Sequence, residues 1–427
     1  MKKLLAIILA TALPALSSVA QVTLARCIEL ADRNYPVIRK YDLVAKTRDL
    51  NLADINKGWL PKIGVYGQVS LQNTVPEFPE ALTGMLSSYG QSFDGMGHVQ
   101  YKVGVDLNQK IWDGGAAKSQ REIERAGSTV SSASLDVQMY AMHGKVQSLF
   151  FGILLLDEQI EQTQSALKLL EVNKDRLESM LANGTAMQSD VDMIEAQVLT
   201  MRQQLAEARN ASDGYRRMLE LYIGKSLAGH TLERPSGEMP ATMTSGRPEL
   251  QMFSAQTSMN NARLRAVDAT VMPKVGLFAQ AYYGYPGLNY FESMRDRDMS
   301  FNAVAGIKLS WDIDAFYFKR NMKRRIAVDN AGIEAERALF LFNTDVEVSS
   351  RRSSINSLRQ VISEDSRIVS LRGRVRKAAE SQLANGIIDA ADLLGKITDE
   401  NQAQLNARYH EIQLLQNIHQ LKYTLNR

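Results

Sequence analysis

The tetrapeptide Leu181-Ala182-Asn183-Gly184 returns 202 positions later as Leu383-Ala384-Asn385-Gly386. Six positions past each glycine stands an aspartate, Asp190 and Asp392. Both copies interrupt a long helical pattern. Glycine just past a helix end takes a left-handed backbone without the penalty that a Cβ would bring. The chain then turns and a new helix begins, with Ser189 and Asp190 near its first turn, where oxygen side chains satisfy free N–H groups. The spacing predicts two long helical hairpins with matched tips, and so a duplicated chain.

The same offset aligns Leu107 with Leu309, Ile111 with Ile313, Val146 with Val348, Ile153 with Ile355, Leu156 with Leu358 and Ile160 with Ile362. A single offset kept over about 90 residues is a strong repeat signal. Further upstream, Pro36 and Pro61 are separated by 25 positions, as are Pro248 and Pro273. The chain is therefore expected to hold a first repeat over 21–231, a linker over 232–246 and a second repeat over 247–427.

Each repeat reads as helix, strand, loop, strand, long helix, tip and return helix. The first helix, about 22–57, is interrupted at Asn34-Tyr35-Pro36 and closed by Pro61. From there the period becomes two: Ile63, Val65, Val69 and Leu71 alternate with Lys62, Tyr66, Gln68 and Ser70. Four such strands are expected, over about 61–72, 101–112, 273–284 and 301–313, with loops over 74–98 and 284–299. The hairpins run over about 115–224 and 315–425. In the first, apolar residues from Leu135 to Leu181 step in fours and threes, with only Thr163 and Lys174 breaking a heptad seam. A helix of that size is about 100 Å long at 1.5 Å per residue.

Lys2-Lys3, an apolar run from Leu4 to Leu16 and Ser18-Val19-Ala20 form a secretory leader, so 1–20 should be removed and the mature chain should begin at Gln21. No further apolar run is expected to reach the roughly 18–20 residues of a membrane-spanning helix. The one cysteine, Cys27, excludes an internal disulfide, and Arg26 spoils its faint lipidation box. It reads as a small apolar residue on a helix face. Charge is nearly balanced, at +3, which gives no basic face for a nucleic acid. The histidines, His98, His143, His230, His410 and His419, are scattered without ligand spacing, and no phosphate loop follows a strand. The chain offers no catalytic set, no metal site and no cofactor site.

A strand with one apolar and one polar face suits either a soluble sandwich or a membrane barrel. The leader and the strand length favour the barrel. Four strands cannot close one, and an open edge in lipid leaves N–H and C=O groups without partners. Two copies would give eight strands and a filled interior; three would give twelve and a lumen. Lys62, Gln68, Lys102, Asp106, Asn108, Lys110, Lys274, Gln280, Lys308 and Asp312 would then line water, with the odd-numbered residues facing lipid.

With this order of elements, the opening Val22-Thr23-Leu24, Ile28-Glu29-Leu30-Ala31 and Asn34-Tyr35-Pro36, the Pro-Lys strand starts and the paired Gly…Asp tips, the mature chain resembles the TolC family of outer-membrane efflux proteins. The resemblance implies a membrane α+β fold: a homotrimer with a 12-stranded barrel and a long periplasmic helical barrel. It implies a passive exit duct for efflux or type I secretion, docked to a periplasmic adaptor protein and an inner-membrane pump of RND or ABC type. It places a periplasmic gate at Asp190 and Asp392, and adaptor contacts at Asn183, Gly184, Thr185, Asn385, Gly386 and Ile387. The family's second ring aspartate falls at Gly395, and its locking arginine and tyrosine fall at Ile388 and Leu383, so that lock is absent here. Acidic first-turn residues that complement a helix dipole are the plainer reading of both aspartates. The rival for the whole chain is a periplasmic coiled-coil adaptor or scaffold, which explains the hairpins and leaves the four strands without a purpose.

Overall fold

A computed structural model of the chain describes residues 21–90 and 95–426. The expected leader, 1–20, lies outside them. Two compact units arise by interleaving. One takes the chain up to Tyr41, then Ser134–Leu250, then Ala338 onward; the other takes Asp42–Ala133 and Gln251–Arg337.

The second unit holds one antiparallel sheet of four strands in the order β1-β2-β3-β4: β1 Lys62–Leu71, β2 Val99–Trp112, β3 Lys274–Tyr285 and β4 Ser300–Ser310. Residue parity survives across all three ladders. Gly64, Asp106, Gln280 and Val304 form one cross-strand row, and Val65, Val105, Ala281 and Ala303 form the next. A bulge between Lys110 and Trp112 brings Trp112 opposite Val275. One face is therefore apolar and bare: Val65 is 79% exposed, and Val69, Leu71, Ile307 and Leu309 are exposed with it. Among the described residues, strands β1 and β4 each have an unpaired edge.

The loops expected between the strands contain short helices, α3 Glu80–Ser87 and α7 Tyr290–Asp296. They pack on each other through Val75, Met96 and Met294, with Phe78 stacked on Phe291 at 5.9 Å. Neither helix is long enough to show a period. The Asn289 side chain does cap α7, accepting the Glu292 N–H at 3.3 Å.

The helical unit is built around four long helices, α4 Ala116–Ala182, α5 Gln188–Ile223, α8 Ala315–Ala384 and α9 Ala390–Leu425, of which α4 and α8 also run through the sheet unit. The heptad seam of α4 is buried at Leu135, Met139, Met142, Val146, Ile153, Thr163, Leu170 and Leu177. Around Phe150, Phe151 and Leu154 the helix is buried outside that seam as well. Against the expectation from sequence, one 18-residue window of α4 is apolar enough to cross a membrane by composition, but half of it is buried in the protein. That burial marks a core helix.

Helix α1 (Leu24–Asn34) leads into α2 (Ile38–Lys57) through Tyr35-Pro36. Asn34 uses its amide to close α5, donating to the Leu221 and Tyr222 carbonyls at 3.0 Å each. Leu232, within the expected linker, forms a parallel bridge with Val22, whose N–H donates to the Thr231 carbonyl at 3.0 Å and whose carbonyl accepts the Glu233 N–H at 3.1 Å. Cys27 is fully buried, and burial pushes its thiol up to about 11. Helix α6 (Pro248–Thr270) opens next to Arg247, whose guanidinium lies over the Tyr140, Phe340 and Tyr423 rings and pairs with Glu249.

Candidate functional site: hairpin tips and polar sheet face

The two tips are built alike. Gly184 and Gly386 have φ of +73° and +68°, the left-handed region in which a Cβ is penalised. Gly184 N–H donates to the Leu181 carbonyl at 3.0 Å and Thr185 N–H to Met180 at 2.9 Å. Gly386 and Ile387 repeat both bonds, to Leu383 at 3.0 Å and Gln382 at 2.9 Å. This is the Schellman closure of a helix. The Asn183 amide donates to the Ser179 carbonyl at 2.9 Å, and Asn385 does the same to Ser381 at 2.8 Å. In each turn the asparagine amide thus adds a second donor to a carbonyl that already accepts the asparagine's own backbone N–H at 3.2 Å. Asn183, Gly184, Thr185, Asn385, Gly386 and Ile387 are all exposed, and no atom lies within 4 Å of a Cβ built on either glycine.

Beneath the turns the helices meet in one apolar cluster: Leu170 and Leu177 of α4, Val191, Ile194, Val198 and Met201 of α5, Ala379 and Leu383 of α8, and Leu393 and Ile397 of α9. Ile388 packs against it. Both positions where the resemblance would put locking polar groups are therefore hydrophobic contacts here. Helices α8 and α9 are additionally joined by Arg376, which donates to Glu400 across the pair and to Glu380 on its own helix. Arg372 pairs with Asp399 at 2.7 Å, and Arg202 joins α5 to Glu171 of α4 at 2.8 Å. Sequence reading missed these pairs, since nothing local says which turn of one helix faces which turn of the next.

The two aspartates occupy equivalent places and act differently. Helix α5 begins at Gln188, and the Asp190 carboxylate accepts the Met187 N–H at 2.9 Å. Helix α9 begins at Ala390 with Asp389 as its cap, and there the Asp392 N–H is the donor, to Asp389 Oδ1 at 2.9 Å. Asp190 is half-buried and Asp392 exposed.

The sheet gathers the expected polar residues on one face. Lys62 lies opposite Asn108, Gln68 opposite Lys102, and Asp106 opposite Gln280. Lys110 and Lys308 both face Gly276, one from each side, and Lys274 faces Ser310. Asp312 falls just past β4 and holds Lys274 Nζ at 2.9 Å. Among the described residues no three His, Cys, Asp or Glu side chains converge as a metal site requires.

A four-stranded antiparallel sheet of split polarity together with two long helical hairpins is a combination also found among solved outer-membrane channels. Solved structures of like fold include the outer membrane protein VceC from Vibrio cholerae, with a TM-score of 0.67, 13% identity, and 94% of this chain and 95% of that chain covered. They include the CmeC outer membrane channel of Campylobacter jejuni (0.66, 13%, 94% and 85%) and the open state of the MtrE outer membrane channel of Neisseria gonorrhoeae (0.66, 15%, 94% and 88%). At these identities the likeness is one of fold. In sequence, the family model for outer membrane efflux proteins matches residues 51–225. No curated protein matches the chain. The resemblance to the outer-membrane efflux proteins therefore holds, in sequence over 51–225 and in fold over nearly the whole chain.

Proposed function

We propose that the chain is one third of a passive exit duct: a homotrimer whose three sheets close a 12-stranded barrel in the outer membrane. The observation that carries this is the sheet itself. It has two open edges and a bare apolar face, a combination that lipid tolerates only once every edge is paired. Pairing β4 of one copy with β1 of the next is the ring closure that uses both edges, and three copies leave a lumen where two would leave a filled core. A second apolar surface supports the same assembly. On α8, two exposed apolar groups, Leu339, Phe342 and Val346 and, further along, Val361, Ile368, Leu371 and Val375, each keep heptad spacing within themselves and are ready for a neighbouring helix.

In this reading the polar sheet face, Lys62 to Asp312, lines water. The tips form the periplasmic mouth, with Asp190 and Asp392 around the opening. The exposed tip turns, from Asn183 to Thr185 and from Asn385 to Ile387, dock a periplasmic adaptor, and an inner-membrane pump supplies the energy. A coiled-coil scaffold would leave the sheet's apolar face without a use.

The test is crosslinking from membranes, with a photoreactive residue at Thr185 or Ile387, together with fractionation and native mass. A trimer in the outer-membrane fraction that captures a periplasmic adaptor supports the duct. A trimer whose tips capture nothing keeps the barrel and removes the docking. A soluble monomer removes both.

A further inference from the structure

At one end of the polar sheet face, four lysines surround a single recess. Lys62, Lys110, Lys274 and Lys308 line a space of about 500 Å³, together with Asn108 and Asp113. Its floor is Gly276, which the ladders set between Lys110 on one side and Lys308 on the other. Strands lie about 4.8 Å apart, so those two lysines start about 10 Å from each other, across a residue without a side chain. A Cβ at position 276 would come within 3.0 Å of the Gln109 carbonyl, so the floor stays bare.

The acids beside the recess are committed elsewhere. Asp113 accepts the Gly115 and Ala117 N–H groups at 3.0 and 2.7 Å, opening α4. Asp312 is held by Lys274. Lys62, Lys110 and Lys308 are exposed, and among the described residues no carboxylate lies within ion-pair distance of them. Three like charges around one hollow repel one another unless an anion joins them, and a low-dielectric wall focuses that field on whatever enters.

We propose that this recess is a binding site for small multivalent oxyanions, solutes bearing phosphate or several carboxylates. Lysine is a mobile point charge with rotating donors, so the site reads charge rather than shape. The inference deepens the duct reading and rests on it for one claim only, that the recess lies on the transport path and draws anionic solutes through.

The probes are inorganic pyrophosphate and citrate, titrated calorimetrically into the detergent-solubilised full chain at low ionic strength. Both should bind saturably. The signal should fade as salt shortens the screening length toward about 10 Å at 0.1 M. Lys62→Gln, Lys110→Gln and Lys308→Gln combined should weaken binding about tenfold or more, since three exposed charge contacts are removed. Lys118→Gln and Lys396→Gln, at other sites, should leave it unchanged. Absent saturable binding to the native chain, or equal binding by the triple variant, overturns the site. The recess is formed within one chain, so oligomeric state and conductance of the same preparations judge the duct separately. A conducting trimer that binds neither probe sinks the site alone. A binding chain that neither trimerises nor conducts sinks the duct alone.

Discussion

Asp389 accepts the backbone N–H of Asp392 at 2.9 Å, whereas 202 positions earlier the Asp190 carboxylate is itself the acceptor, from Met187. One aspartate holds its helix start together and the other is spared that duty. Asp190→Ala and Asp389→Ala should each cost about 1 kcal/mol of stability, the usual loss of an N-terminal cap, and Asp392→Ala should cost clearly less. Denaturant unfolding of the purified protein checks this. Asp392→Ala should instead change leak conductance or antibiotic sensitivity; a variant unaltered in both would return Asp392 to a dipole partner.

The tip glycines should be intolerant for a backbone reason alone. Nothing lies within 4 Å of an added Cβ, and φ is left-handed at both. Gly184→Val or Gly386→Val should cost about 1–2 kcal/mol and lower crosslinking of a partner from Thr185 or Ile387. Gly→Asn at the same positions should stay near native, since asparagine adopts this conformation more readily. Equal losses for Val and Asn would mean that the turn is not the cause.

Arg376 and Glu400 have side chains only 13% and 11% exposed, and they join α8 to α9 below the tip. Burial lowers the affinity of the guanidinium for its proton, but the hydrogen bonds it donates to Glu400 and Glu380 outweigh it, so Arg376 is held above its ordinary value. Removing Arg376 strands the buried Glu400 carboxylate, and Arg376→Met should destabilise by about 3–5 kcal/mol. Arg376→Met with Glu400→Leu should recover most of that loss, because packed apolar groups replace buried pairs at little cost. Urea unfolding of the single and double variants decides it.

The apolar sheet face can be tested with one charge. Val65→Arg should block outer-membrane assembly, as arginine near a bilayer midplane costs about 2–4 kcal/mol on a barrel. Gln68→Arg, three residues along and on the other face, should assemble normally. Trimer yield in the outer-membrane fraction is the readout, and equal yields would remove the lipid assignment.

His419 gives the pH dependence a sign. Burial, helped by the Lys422 charge, lowers its affinity for a proton below the ordinary value of 6.5, against the pull of the Ser236 carbonyl. The unfolded chain then binds the extra proton more readily, so this contribution to stability is complete above pH 6.5 and is lost as the pH falls below it. His419→Gln should flatten that part of the profile.

How much of this could be read from residues alone follows the range of each interaction. The tip turns involve atoms within six positions of one another, and Asn183-Gly184 carries their chemistry openly. The strands announce themselves because parity holds from Lys62 to Leu71 and from Lys274 to Tyr283. Helix α7 was there to be found in Asn289 and Glu292, a cap signature with too few residues after it to form a period. Arg376 with Glu400 was not, because the rotation of one long helix against another is set by the whole seam. The lysine recess lies between these cases. Parity puts its members on one face, but the ladder that sets Gly276 between Lys110 and Lys308 depends on pairing across three strands.

The two open edges of the sheet carry an obligation in time as well as space. A single copy displays the strand borders and the greasy face that make proteins clump, and it can hide neither by rearranging itself. On the duct reading, such a chain cannot be completed where it is made and then delivered. Its last folding step would be the encounter with its own siblings at the membrane, with an escort until then. Supply and rendezvous therefore have to be matched, because every unmatched copy is a hazard with sticky borders.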